Sequence, residues 1–189
     1  MSSAVPMAEI YRGVFLESVH LGHAVIAHAS GEIVEEFGDP DQIILPRSSI
    51  KMMQALPLVE SGAADGLSQE QLALACASHS GEVRHVERVS RWLDDLGLNE
   101  QALCCGPEAS RDKELRHAMI RDGKLPSRVH NNCSGKHAGF LTLAQKLDAS
   151  LDYVDPENPV QRAVRAAIEE MCSEESPGHG IDGCSAPNY

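Results

Sequence analysis

The hydrophobic pattern changes its period near Pro46, and this change limits the possible folds more than any other feature of the chain. Before it, the segments EIYRGVFLESV, HAVIAHA and IVEEF within residues 9–38 are short, rich in β-branched or aromatic residues, and separated by the turn-like HLGH and SGE. After it, apolar residues recur at helical spacing. Strands followed by helices predict an α+β fold, an antiparallel β-sheet with flanking helices, in a single domain over residues 1–189.

The part of the chain after Pro46 contains local signals for where helices start and stop. Pro57 is expected to bend or end the first helix, Ser68 to begin the second, and Gly97 to stop the third. We predict helices over 48–60, 68–78, 82–98, 110–123, 136–147 and 155–174.

Charge and composition exclude several kinds of partner. The net charge of −12, from 16 basic and 28 acidic residues, argues against a nucleic-acid partner, as does an aromatic content of 4%. No apolar run is long enough to cross a bilayer, and MSSAVPMAEIYRG lacks the features of a signal peptide. We therefore expect a cytoplasmic protein whose cysteines are reduced or bind a metal.

The stretch PRSSIKMMQALPL places Lys51 three residues after Ser48, which puts both side chains on one helix face. The helix start and the apolar neighbours disfavour an ammonium ion there, so a neutral lysine beside a hydroxyl is plausible chemistry for a nucleophile and its base. The same spacing occurs at Ser110 and Lys113 in the polar SRDKELR, where we expect only a helix cap and a solvated lysine. The apolar setting, rather than the spacing, favours Ser48 and Lys51.

Two further stretches concentrate reactive side chains. In CASHSGE, Ser80 is either exposed by a tight turn at Gly81 or is a helix cap. In HNNCSGKHAGF, Cys133 and His137 have a spacing that occurs in metal sites, and Cys184 in DGCSAP is a possible third ligand. The alternative for each of these cysteines is a small buried hydrophobic residue, and this is what we expect of the other four, Cys76, Cys104, Cys105 and Cys172.

Taken together and in order, LPRSSIKMMQALPL, ASHSGE, HNNCSGKHAGFL and DGCSAP resemble the motifs of the Rhizobium-type, thermolabile L-asparaginases. The match extends over nearly the whole chain. It implies a fold like that of serine β-lactamases and glutaminases, hydrolysis of L-asparagine to L-aspartate and ammonia, and a homodimer.

The resemblance also implies roles for individual residues. Ser48, Lys51 and Ser80 match catalytic residues, Arg47, His137 and Asp182 match neighbours of the substrate, and Cys133, Lys136 and Cys184 match ligands of a zinc ion that supports substrate binding. Which serine attacks is left open. Because chains of this family are longer, the resemblance implies a C-terminally truncated chain that lacks the later strands and the lysine that partners Ser80.

Other functions fit part of the pattern. A penicillin-recognising acylase would share the Ser48–Lys51 spacing, but the chain contains no K-T-G or S-D-N triplet. A catalytically silent module for zinc binding or dimerisation would keep Cys133, Lys136 and Cys184. The choice between asparagine and other amides, such as glutamine, is also open.

Overall fold

The N-terminal strands form two separate antiparallel ribbons instead of one sheet. In the computed structural model, which describes residues 4–189, β1 (Val5–Arg12) pairs with β2 (Phe15–Gly22), and β3 (Ala24–Ala27) pairs with β4 (Ile33–Phe37). Most apolar side chains of these strands are exposed, since a two-stranded ribbon has no further layer of its own to cover it. These ribbons belong to a first compact unit, which ends at Ile44.

The second unit, Leu45–Tyr189, contains all the helices of the described chain. They are α1 (Lys51–Gln54), α2 (Leu56–Glu60), α3 (Gln69–Cys76), α4 (Val83–Asp95), α5 (Lys113–Arg121), α6 (Ser134–Lys146) and α7 (Pro159–Cys172), with 3-10 turns at Arg47–Ile50, Glu100–Ala102 and Arg128–His130. A short ladder joins β5 (Gly180–Ile181) to β6 (Pro187–Asn188). The α+β class is confirmed, while the single domain over 1–189 stays a prediction.

Local signals set most of the helix ends. The side chain of Ser68 caps α3 and is itself bonded through its backbone N–H to Gln71, a reciprocal capping box. Gly97, with φ of +68°, follows the end of α4 as expected. The expected cap at Ser110 is wrong: Asp112 caps α5, and the buried Ser110 instead donates to the carbonyl of Ser80 at 3.1 Å.

Helix α6 forms the centre of the second unit. All of its residues from Ser134 to Ala144 are buried, which is typical of a helix that has neighbours on every side. The indole Nε1 of Trp92 on α4 donates to Thr142 Oγ1 at 3.1 Å, so these two buried polar groups of the core are paired. None of the helices within residues 4–189 is both long and apolar enough to span a membrane.

A glycine lets α3 and α6 approach closely. A Cβ atom on Gly135 would lie 2.5 Å from the backbone oxygen of Leu74, so the two helices meet without a side chain between them. This contact fixes the start of α6, where Cys133 and Lys136 lie, against the end of α3.

We predict that Gly135→Ala destabilises the protein by about 1–3 kcal/mol, because the added methyl group must push the two backbones apart. Urea denaturation measures the change in the free energy of unfolding. Gly66→Ala is the matched control, since nothing lies within 4 Å of a Cβ atom there. Equal effects of both substitutions would contradict this explanation of the contact.

Candidate active site

The side chain of Lys51 lies at the meeting point of three helices. It is 2% exposed, and its Nζ lies 2.7 Å from the carbonyl oxygen of Ala77, 2.8 Å from Ser78 Oγ and 3.3 Å from Cys133 Sγ. Lys51 begins α1, Ala77 follows α3, and Cys133 precedes α6. A buried amine with three partners is fully satisfied, and its position is fixed.

The structure joins Lys51 to Ser78 rather than to either predicted serine. Ser48 is exposed on the 3-10 turn before α1, and within residues 4–189 no hydrogen bond connects its hydroxyl to Lys51. Ser80 donates to Glu82 Oε1 at 2.6 Å. The sequence did not identify Ser78, because ASHSGE contains two serines, Ser78 and Ser80. In an extended chain, residues two apart point to the same side, so the pattern does not distinguish them.

Four other predicted residues form a second cluster beside Lys51. Lys136, which is 2% exposed, donates from Nζ to Asp182 Oδ2 at 3.2 Å and to Cys184 Sγ at 3.1 Å. Asp182 Oδ1 accepts from the backbone N–H groups of Cys184 at 2.9 Å and Ala186 at 3.1 Å. Cys133 lies beside the other three, since it shares a cavity wall with Asp182 and Cys184 and the charge of Lys136 acts on its thiol.

The members of the cluster shift one another's pKa values. The hydrogen bond from Cys184, aided by the positive charges of Lys51 and Lys136 and opposed by burial, lowers the pKa of Cys133 to about 6. The interaction with Cys133, together with burial, raises the pKa of Cys184. Burial alone would lower the pKa of Lys136, but attraction to Cys184, Asp182 and Cys133 outweighs it and raises that pKa. Lys136 and Asp182 therefore form a buried ion pair at 3.2 Å, and Cys133 is the more acidic of the two thiols beside it.

The donor atoms of this cluster suit zinc in type and proximity. Zinc prefers sulfur and nitrogen ligands, and two thiols and one amine converge here. Across residues 4–189, no group of three or more His, Cys, Asp or Glu side chains is arranged to hold a metal, so a site here depends on the Lys136 amine. That amine must first lose its proton.

A cavity of about 360 Å³ opens above the cluster, large enough for a small polar ligand. Its wall is formed by Arg47, Ser48, Gly106, Pro107, Glu108, Arg111, Asn131, Asn132, Cys133, Asp182, Gly183 and Cys184. Five of the predicted site residues are therefore on the wall, while Lys51 and Lys136 contact it from behind through Cys133 and Cys184. Glu108 and Arg111 were not predicted, because nothing in the sequence connects them to the motifs.

The conformation of Arg47 is held by a distant residue. Its φ of +53° is unusual for a residue with a side chain. Its N–H donates to Asn188 Oδ1 at 2.8 Å, and its carbonyl accepts from Asn188 Nδ2 at 3.3 Å. Backbone strain of this kind occurs preferentially at functional sites.

His137 does not lie on the cavity wall. It is fully buried, its Nδ1 lies 2.8 Å from the hydroxyl of Tyr153, and its ring packs against Phe140. Burial lowers the pKa of His137 well below its ordinary value, so the ring is neutral. In the structure His137 therefore has the position of a core residue. Its direct contact with the substrate stays a prediction.

Comparison with known proteins identifies one family for nearly the whole chain. The family described as L-asparaginase II matches residues 8–189. A search of curated proteins gave no match.

A neutral histidine ties the turn after α3 to α6. Nδ1 of His79 accepts from the N–H of Gly81 at 3.1 Å, so Nε2 carries the proton that it donates to Ser134 Oγ at 2.8 Å. Burial, with smaller contributions from the charges of His85, Lys51 and His130, lowers the pKa of His79 to about 4. Protonation would remove the acceptor that Gly81 needs.

We predict that this histidine makes the fold sensitive to acid. In the unfolded chain His79 is protonated below its ordinary pKa of 6.5, whereas in the folded chain it stays neutral until the pH approaches about 4. The free energy of unfolding therefore falls as the pH is lowered from 6.5 to about 4. The expected loss is about 1–3 kcal/mol after allowance for solvent screening. In urea denaturation series across this range, His79→Gln should give a shallower dependence on pH, with the exposed His28→Gln as control. An unchanged slope in His79→Gln would contradict the prediction.

Proposed function

Because the chain belongs to the L-asparaginase II family, we propose that it is an amidohydrolase that releases ammonia from L-asparagine. The observation that carries the proposal is the buried amine of Lys51, 2.8 Å from the hydroxyl of Ser78 and behind the wall of a cavity lined by charges of both signs. A fixed lysine beside a serine is an arrangement that supports nucleophilic attack on an amide.

A general base requires the neutral form of Lys51, and all three of its partners could keep a hydrogen bond in that form. A neutral amine has two N–H donors and one lone pair. The Ala77 carbonyl and the Cys133 sulfur would accept from the donors, and the Ser78 hydroxyl would donate to the lone pair. The three partners of Lys51 would therefore stay hydrogen-bonded if Lys51 acts as the general base that takes the serine proton.

The proposed reaction has two stages. In the first, the serine oxygen bonds to the side-chain amide carbon while Lys51 takes the hydroxyl proton. The C–N bond then breaks, and the lysine returns the proton to the departing ammonia. In the second, water attacks the ester while Lys51 takes one of its protons. The bond from the carbonyl carbon to the serine oxygen then breaks, and Lys51 returns the proton to the serine oxygen as L-aspartate is released.

Two serines compete for the role of nucleophile, and different observations favour each. Ser78 has the hydrogen bond to Lys51. Ser48 lies on the cavity wall, where a ligand would be. Ser80, whose hydroxyl is bonded to Glu82, stays a prediction as a third catalytic residue.

We further propose zinc at Cys133, Lys136 and Cys184, supported by the convergence of their sulfur and nitrogen atoms. When bound, the metal would supply a fixed positive charge that attracts the carboxylate of the substrate. Asp182 would remain beside it and hold the loop that carries Cys184. A homodimer and a cytoplasmic location, both expected from the sequence, stay parts of the proposal.

We predict that the chain of residues 1–189 releases ammonia from L-asparagine and that Lys51→Met lowers kcat at least about 100-fold, because the base is lost. Lys113→Met, which removes the exposed lysine of the other S-x-x-K match, should leave activity unchanged. A coupled assay for ammonia gives the rates, and circular dichroism confirms that each variant is folded. Ser48→Ala and Ser78→Ala, compared in the same assay, identify the nucleophile by the larger loss.

The opposite result has a clear meaning. A folded, zinc-loaded chain that releases no ammonia would support the silent zinc-binding module. Turnover of a penicillin but not of asparagine would support the acylase.

We predict about one zinc ion per chain after zinc loading and buffer exchange, and a loss of most of it in Cys133→Ser and Cys184→Ser, since each removes one thiolate ligand. Elemental analysis measures the metal directly, without reference to activity. The matched control is Cys172→Ser, which changes an exposed cysteine. Zinc retained in both ligand variants would contradict the proposed ligand set.

A further inference from the structure

The cavity wall contains two residues of opposite charge that none of the motifs accounts for. Glu108 Oε1 and Arg111 Nη2 lie 3.9 Å apart, with both side chains partly exposed. A pair at this distance and exposure contributes little to stability, so its place on the wall calls for another explanation.

The loop that carries this pair is fixed to the catalytic elements. The N–H of Asn132, next to Cys133, donates to Glu108 Oε2 at 3.0 Å. The N–H of Arg111 donates to the carbonyl of Ser80 at 2.8 Å, and Asn131 Nδ2 donates to the carbonyl of Gly106 at 2.8 Å. The loop is thus bonded on one side to the residues before α6 and on the other to the turn after α3, so Glu108 has a defined position at the cavity.

Of the two carboxylates on the wall, only Glu108 has an oxygen without a hydrogen-bond partner among residues 4–189. Asp182 Oδ1 accepts two backbone N–H groups, and its Oδ2 accepts from Lys136. Glu108 uses Oε2 for Asn132, while Oε1 has only the long contact with Arg111 among residues 4–189. An incoming ammonium group would therefore find its acceptor at Glu108.

We propose that Glu108 and Arg111 recognise the α-amino acid head group of the substrate, Glu108 by binding the ammonium and Arg111 by binding the carboxylate. The inference rests on the proposed function and deepens it. An α-amino acid has its ammonium and carboxylate on one carbon, and the wall presents the complementary charges side by side, 3.9 Å apart. The pair determines specificity, since it distinguishes amino acids from simple amides and acids.

Ligand binding tests this assignment without requiring turnover. L-Aspartate and succinate differ only in the ammonium group, so their dissociation constants, measured by calorimetry on the zinc-loaded full chain, isolate its contribution. We expect the chain to bind L-aspartate more tightly than succinate. Glu108→Gln should weaken L-aspartate binding by about 10-fold or more and leave succinate binding unweakened, because a charge-assisted hydrogen bond is lost. Arg111→Gln should weaken both.

Glu108→Gln keeps an amide oxygen for the N–H of Asn132, so the loop retains its anchor. Succinate binding by the same variant shows that the cavity is intact. Glu35→Gln, which changes an exposed residue of β4, is the matched control.

The outcomes separate this inference from the proposed function. An unchanged ratio of the two dissociation constants in Glu108→Gln overturns the inference, as does a wild-type chain that does not prefer L-aspartate to succinate. If L-aspartate binds as expected but L-asparagine releases no ammonia, the recognition site stands and the proposed function fails.

Discussion

The buried amine of Lys51 is the group on which the arrangement of the site depends. Removing a lysine side chain from water is costly unless every hydrogen-bonding position of its nitrogen has a partner. Here the partners come from the end of α3 and the start of α6, so α1 can hold Lys51 only where these two helices meet. The requirement to satisfy one amine therefore brings together the three motifs that lie far apart in the chain. The close approach of α3 and α6 at Gly135 makes the meeting point possible.

Most of the helical architecture was predictable because its signals are local. The capping box at Ser68 and the left-handed glycine at Gly97 act within one turn, and both have the predicted effect. The sheet was not predictable in the same way, because alternation identifies strands but not the number that pair. The four N-terminal strands therefore form two ribbons where one sheet was expected. Cys172 is exposed, although a small buried residue was expected.

The site was partly predictable for a related reason. The motifs identify Lys51, Cys133, Lys136 and Cys184, and the structure brings these four residues to adjacent clusters. The choice between Ser78 and Ser80 depends on the shape of the turn after α3. A local bond from Gly81 to His79 and a long-range bond from His79 to Ser134 on α6 set that shape. Glu108 and Arg111 reach the cavity only because their loop is bonded to Ser80 and Asn132. Such residues have no motif, and three-dimensional contact is the only evidence for them.

The two buried lysines have different surroundings, and this difference supports different roles. Lys136 lies against the carboxylate of Asp182 and the sulfur of Cys184, so a positive charge is needed at that position. Zinc in place of the Lys136 proton would preserve that charge. Lys51 instead has a carbonyl and a hydroxyl as its nearest partners, and both remain satisfied when it becomes neutral. Proton transfer therefore suits Lys51, whereas Lys136 suits a position where positive charge is retained. The sulfur of Cys133 contacts Lys51, and the charges of both lysines lower the pKa of its thiol, so Cys133 connects the surroundings of the two lysines.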